Sequence, residues 1–231
     1  AKDADGAYYA DYTGIMSVGW NADKYGDISS LDDLLDPKFA GTVALNGKPA
    51  EAGAAFNGYL MANQLAGGDI NNLQPGLDYF KKLKEAGNLT TVDVTNGTID
   101  SGQTGVVFDW TYNQASYKKE LKDKGVNWKY KTFPKAQVVS YYNQAINKDA
   151  PHPAAARLWE EYLYTADAQN LWFKGGANPV LLDSMKEDGT VDQATLKDAI
   201  TIEGEPVSYT NDDSTRITEW LQNNWDKTIG N

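Results

Sequence analysis

A short apolar segment that leads into a helix constrains the fold of this chain more than any other feature. Val106–Phe108 follows Gly105 and runs directly into Asp109, Trp110 and Tyr112. A helical pattern comes next, with apolar residues on one side and lysines on the other. Open α/β sheets bind ligands at the carboxyl ends of their strands. The segment therefore predicts a buried strand whose end meets a ligand, or, alternatively, two aromatic rings that only close the core.

Composition narrows the class of protein. Of the 231 residues, 41% are hydrophobic and 23% are charged, which is typical of a globular protein with a real core in one large or two small domains. The net charge of −11 disfavours nucleic acid as a partner, because a phosphate backbone needs a basic face. No apolar run reaches the roughly 18 residues that a membrane-spanning helix requires.

Cysteine and histidine usage restricts the possible chemistry. The chain has no cysteine, so a disulfide, a thiolate metal site and a cysteine nucleophile are impossible. Its single histidine, His152, stands between two prolines in a loop that enters a helix, and we interpret it as solvated. One such residue removes most histidine-centred catalysis and zinc binding. We expect no catalytic residue, no metal site and no cofactor.

The order of the predicted elements indicates two lobes. Strands and helices alternate between residues 42 and 132, which predicts an α/β unit with a mainly parallel sheet. Predicted strands at 12–20 and 137–146 bracket that unit, and the remainder of the chain is mostly helical. This pattern indicates a lobe inserted into a second lobe through two crossings.

Five segments resemble one known family. Residues 12–24 resemble the family's first crossing strand, and residues 31–45 resemble its signature of a short helix, Pro-Lys, an aromatic residue, Gly and a strand. Residues 105–112 resemble the strand whose end meets the ligand. Residues 142–159 resemble the return crossing with its helix, and residues 166–170 resemble an acidic-x-Gln step. The chain is similar over nearly its whole length to bacterial ABC-transporter solute-binding proteins of the type II periplasmic binding fold. The similar branch holds iron, thiamine, polyamine and aminoalkylphosphonate binders.

This resemblance implies an α/β fold with one intact lobe and the C-terminal part of the other. Residues 20–137 would form the intact second lobe, and residues 1–19 and 138–231 would form the first lobe without its N-terminal part. The family captures a small solute between two lobes by hinge closure and delivers it to an ABC permease. The resemblance thus implies a monomeric, periplasmic or extracellular protein that is not an enzyme. It is also compatible with lipid anchoring through an upstream segment.

The resemblance also predicts which residues contact solute. Loops at strand ends would contribute polar and aromatic groups, and the crossing strands would add tyrosines: Asn46, Glu51, Asn96, Asp109, Trp110, Tyr112, Tyr12, Tyr141 and Tyr142. Neighbours on a strand point to opposite faces, so only one of Tyr141 and Tyr142 can face a given cleft.

The predicted solute is a cationic organic compound, such as a polyamine or a thiamine-like molecule. Trp110 and Tyr112 can stack on a cation or ring, and Asp109 and Glu51 can pair with an ammonium group. Ferric iron is the alternative within the family, although its iron binders carry an adjacent tyrosine pair where this chain has residues 109–112. A secreted hydrolase using Asp109 and Glu51 is the alternative of another class, and a ligand-free sensor or scaffold is a further one.

Overall fold

Two structural units share the chain, and the computed structural model describes residues 3–230 of it. The first unit combines the described residues through Ile15 with Val139–Thr201. The second unit combines Met16–Val138 with the described residues from Ile202 onward. The chain therefore passes between the units after residues 15, 138 and 201.

Helices and strands occupy about the positions that the patterns predict. The strands are β1 Tyr9–Asn21, β2 Val43–Leu45, β3 Leu89–Thr90, β4 Val106–Trp110, β5 Trp128–Lys131, β6 Val139–Gln144 and β7 Asn178–Pro179. The helices are α1 Ala22–Tyr25, α2 Gly53–Leu65, α3 Gln74–Glu85, α4 Asn96–Asp100, α5 Thr111–Glu120, α6 Pro153–Leu163, α7 Ala166–Lys174, α8 Leu182–Glu187, α9 Gln193–Leu196 and α10 Asn211–Thr228. Within residues 3–230, no helix has the length and apolarity needed to cross a membrane.

The second unit is built on a mixed sheet with strand order β3-β2-β4-β1-β5. β2 pairs in parallel with β3 and with β4, whereas β1 pairs antiparallel with β4 and β5. Because β2, β3 and β4 run in the same direction, their carboxyl ends lie on one edge of the sheet. We call this edge, which follows Leu45, Thr90 and Trp110, the carboxyl edge.

Strand β4 is buried on both of its faces, as the apolar run predicts. Phe108 packs in the larger core, with its ring centroid 5.8 Å from that of Phe80 on α3. Val107 points the other way, into a smaller cluster that includes Leu121 and Trp128. Successive side chains on a strand alternate between faces, so a strand covered on both sides reads as a continuous apolar run.

The C-terminal helix departs from the predicted lobe assignment. The family resemblance implies that all of residues 138–231 belong to the first lobe, whereas the described residues from Ile202 onward belong to the second unit. The physical reason is the apolar stripe of α10, whose Ile217, Leu221 and Trp225 are buried in the second unit's core. Residues four apart on a helix share a face, so this stripe buries the helix along one side.

In the first unit, the early part of β1 pairs antiparallel with β6 and β7. Phe173, Met185 and Val191 form a small core there. The solvent side of α6 keeps large apolar side chains, with Leu158 69% exposed and Trp159 60% exposed.

Replacing Trp225 with alanine tests the docking of α10. The Trp225 ring lies 6.1 Å from Tyr59 and 5.3 Å from Phe80, edge-on to both. We expect Trp225→Ala to lower the free energy of unfolding by about 3–5 kcal/mol, since removal of a buried aromatic ring leaves a cavity in the core. Denaturant titration followed by circular dichroism measures this loss.

Trp159→Ala is the matched control, because that indole is 60% exposed on α6. We expect its unfolding free energy to stay within about 0.5 kcal/mol of the parent value. Equal losses in the two variants would contradict the docking of α10 through Trp225.

Candidate functional site

The carboxyl edge gathers chain segments that follow three neighbouring strands. Asn46 follows β2, residues 91–93 follow β3, and α5 begins directly after β4. Trp110 is both the last residue of β4 and the residue that precedes the first turn of α5. Such an edge is where open α/β sheets place ligands.

Asp109 is the centre of the hydrogen bonding at this edge. Its side chain is fully buried, and each carboxylate oxygen accepts two hydrogen bonds. Oδ2 accepts from Nδ2 of Asn46 at 2.8 Å and from the hydroxyl of Tyr117 at 2.9 Å. Oδ1 accepts from Nδ2 of Asn113 at 2.9 Å and from the backbone N–H of Trp110 at 2.7 Å. The carboxylate therefore holds the loop after β2 and the first turns of α5 together.

Burial raises the pKa of Asp109 above its ordinary value, while the four hydrogen bonds pull that pKa down by a smaller amount. The side chain has no exposed surface through which a solute ammonium group could reach it. The structure thus differs from the predicted direct contact between Asp109 and a cationic ligand. The reason is that donors of the protein itself occupy both oxygens.

The two aromatic residues at the end of β4 have different surroundings. Trp110 is only 3% exposed and packs in the core of the second unit, opposite Met16 of β1. Tyr112 is half-buried, and its ring stacks on the Trp110 ring at 6.2 Å with a 14° angle between the planes. Trp110 therefore supports the ring of Tyr112, which stands partly open at the carboxyl edge.

Glu51 and Asn96 form their hydrogen bonds away from Asp109. Glu51 is exposed in a turn whose backbone bond joins its N–H to the carbonyl of Lys48. Asn96, at the start of α4, donates a hydrogen bond to the carboxylate of Glu120 at the end of α5. Among residues 3–230, neither side chain shares a hydrogen-bond partner with Asp109.

Sequence reasoning missed the contribution of α5 to this cluster. Asn113 and Tyr117 are four and eight residues after Asp109, so helical spacing places both on one face of α5. That spacing is a usable signal, but it becomes meaningful only when the carboxylate is known to turn towards the helix. The structure also shows a groove at the β2–β3 part of the carboxyl edge, lined by Lys48, Thr90 and Asp93 among others.

The predicted tyrosines of the first unit form an aromatic stack. Tyr12 lies between Tyr142, at 4.8 Å and 9° between ring planes, and Trp172, at 4.5 Å and 29°. Tyr141, the neighbour of Tyr142 on β6, lies opposite Thr13 in the strand register and is 44% exposed. Trp172 was not predicted, because it comes from α7 and no local spacing links it to Tyr12.

Replacing Asp109 with asparagine tests the raised pKa of this carboxyl. The folded protein holds the Asp109 proton more tightly than the unfolded chain does, so this group favours folding most below about pH 4. Its contribution declines as the pH rises through the raised pKa. As the pH rises, we expect the unfolding free energy of the parent minus that of Asp109→Asn to fall. The fall is up to about 1.4 kcal/mol for each pH unit by which folding raises the pKa of Asp109.

Urea titrations of both proteins between pH 4 and pH 8 measure this difference. Burial also raises the pKa of Asp11, but Asp11 is present in both proteins and cancels in the subtraction. A difference that stays constant or grows with pH would contradict the prediction.

Comparison with known proteins identifies the family. The sequence pattern of the bacterial extracellular solute-binding proteins matches residues 1–199 of this chain. A comparison with curated proteins finds no match.

Solved structures of the same fold include several periplasmic binding proteins. AgtB of A. tumefaciens R10, solved with agropinic acid, is 16% identical with a TM-score of 0.71, and the match covers 98% of this chain and 70% of that one. PotD of Streptococcus pneumoniae, a spermidine/putrescine ABC-transporter protein, is 14% identical with a TM-score of 0.68, covering 99% and 71%. AfuA of Actinobacillus pleuropneumoniae, solved with fructose-6-phosphate, is 19% identical with a TM-score of 0.63, covering 99% and 70%.

The family match extends over most of the chain, and the solved structures share its fold. The matched part amounts to about 70% of the length of those structures. This chain therefore belongs to the bacterial extracellular solute-binding proteins and carries a large part of the type II fold of ABC-transporter binding proteins.

Proposed function

We propose that this solute-binding component of an ABC transporter captures a small cationic organic solute, such as a polyamine or a thiamine-like compound, at the carboxyl edge of its second unit. The observation that carries the proposal is the half-buried Tyr112 ring, which stacks in an offset arrangement on Trp110. Organic cations bind to the faces of such rings, and a ring already held in place loses little entropy on binding.

Tyr112 is suited to this role because its position is fixed by two independent features. It belongs to the first turn of α5, which starts without a loop at the end of β4. Its ring is stacked at 6.2 Å on Trp110, which is 3% exposed. A flat, preorganised ring at a strand end can accept a planar or cationic group without rearrangement.

Charge supports a cation over an anion. The net charge of −11 raises the local concentration of cations around the protein. Glu51 on the loop after β2 and Asp93 after β3 are exposed carboxylates close in sequence to the carboxyl edge, and Lys48 is the basic residue between Leu45 and Glu51. In this proposal, Glu51 pairs with an ammonium group, Asn46 contributes a polar contact, and Asn96 lies at the edge of the site.

The similar structures agree with a small solute but do not choose its charge. PotD is named for spermidine and putrescine, whereas AgtB and AfuA were solved with agropinic acid and fructose-6-phosphate. Their sequence identity to this chain is below 20%. Similarity at this level supports a shared fold only, so the choice of solute depends on the residues of the site itself. Capture between two lobes, delivery to a permease and an upstream lipid anchor stay predictions from the family resemblance.

The alternatives receive less support from the structure. A hydrolase using Asp109 and Glu51 needs two carboxyl groups facing a shared space, but Asp109 is enclosed by four donors of the protein. Ferric iron coordinated by an adjacent tyrosine pair would need Tyr141 and Tyr142 on one face, whereas Tyr142 stacks on Tyr12 and Tyr141 pairs with Thr13.

A thermal-shift panel with spermidine, putrescine, thiamine, ferric citrate and an aminoalkylphosphonate tests the solute class. An amine at about 100 times its Kd should add about 2.7 kcal/mol of stability. We expect Tyr112→Ala to weaken amine binding roughly 5-fold to 30-fold, as loss of a cation–π contact predicts.

Tyr162→Ala is the control, because Tyr162 is 41% exposed on α6 of the first unit. It should leave the amine shift unchanged. A shift with ferric citrate or the phosphonate alone would refute the cationic solute, and equal effects of the two tyrosine variants would refute the role of Tyr112.

A further inference from the structure

We propose that Asp109 is a positioning residue, which joins the loop after β2 to α5, the helix that carries Tyr112, so that these two segments behave as one body. The inference rests on the proposed function, because that function makes these segments the solute-facing ones. It assigns Asp109 a role without direct contact to solute.

The geometry that carries this inference is a junction between distant parts of the chain. Asn46 lies 63 residues before Asp109, and its side-chain amide reaches Oδ2 at 2.8 Å. Tyr117, two turns into α5, reaches the same oxygen at 2.9 Å. One oxygen atom therefore links the loop after β2 to the second turn of α5.

A carboxylate is the side chain that suits this junction. All four groups around it are donors, and an ionised carboxylate is a pure acceptor with room for about four hydrogen bonds. The donors are neutral, namely two side-chain amides, a phenol and a backbone N–H. An asparagine at position 109 would turn an NH2 group towards two of these donors, and the buried site would leave them without acceptors.

The strand backbone is held independently of this carboxylate. Asp109 pairs with Ser17 in the register between β4 and β1, and the Ser17 hydroxyl donates to the Asp109 carbonyl at 2.7 Å. A change confined to the carboxyl group should therefore loosen the attached loop and helix while the strand keeps its place. This separation makes the positioning role measurable.

Hydrogen–deuterium exchange without solute tests the proposal directly. We expect Asp109→Asn to speed exchange about tenfold in peptides covering residues 46–53 and 111–120, because local opening becomes easier there. Peptides within 55–65 of α2 should exchange at the parent rate. Tyr117→Phe, which removes one donor, should produce a smaller increase in the same two segments.

Asp11→Asn is the matched control. Asp11 is also a fully buried carboxylate, and it accepts from Gln144 at 3.0 Å and from Gln169 at 2.9 Å in the first unit. Its replacement should leave residues 46–53 and 111–120 unchanged. If Asp109→Asn leaves both segments unchanged, or accelerates 55–65 equally, the positioning role is refuted.

Spermidine binding separates this proposal from the proposed function. If the parent protein does not bind spermidine or the other amines, the solute class fails, while the exchange result still decides the role of Asp109. If Asp109→Asn weakens spermidine binding but exchange is unchanged in both segments, Asp109 acts as a direct charge partner and the positioning role is overturned.

Discussion

The carboxyl edge depends on one buried carboxylate, that of Asp109, whose four hydrogen-bond donors are all neutral. Removing a charged group from water is costly unless hydrogen bonds replace its hydration, and Asp109 has four. Meeting that requirement determines where the loop after β2 and the start of α5 lie. The site is therefore arranged around a group that has no exposed surface of its own.

Strand β1 provides a second constraint, because it serves both structural units. Up to Ile15 it pairs with β6, and from Met16 it pairs with β4. Both halves are mostly buried, which explains its long run of apolar and small residues. A single strand with two sets of partners needs a strict register in each, since a slip of one residue would reverse every side chain.

The division of labour between Trp110 and Tyr112 shows how the core and the site are coupled. Burial of Trp110 stabilises the second unit, and the same ring supports Tyr112 from one side. A site built on the last residue of a central strand inherits the rigidity of the sheet. In the proposed function, recognition of solute depends on groups around this pair, such as Glu51 on the loop after β2.

The sequence by itself determined the buried strand β4 and the alternation of strands and helices, because both are encoded in local periodicity. The family resemblance rests on particular sequence segments and not on periodicity. The sequence did not determine that α10 packs in the second unit, since an apolar stripe shows which face of a helix is buried but not which surface that face contacts. Nor could it show that Asp109 turns inward to Asn46 and Tyr117, or that Trp172 stacks on Tyr12. Those contacts join residues distant in the chain, and only tertiary packing decides which polar and aromatic groups meet.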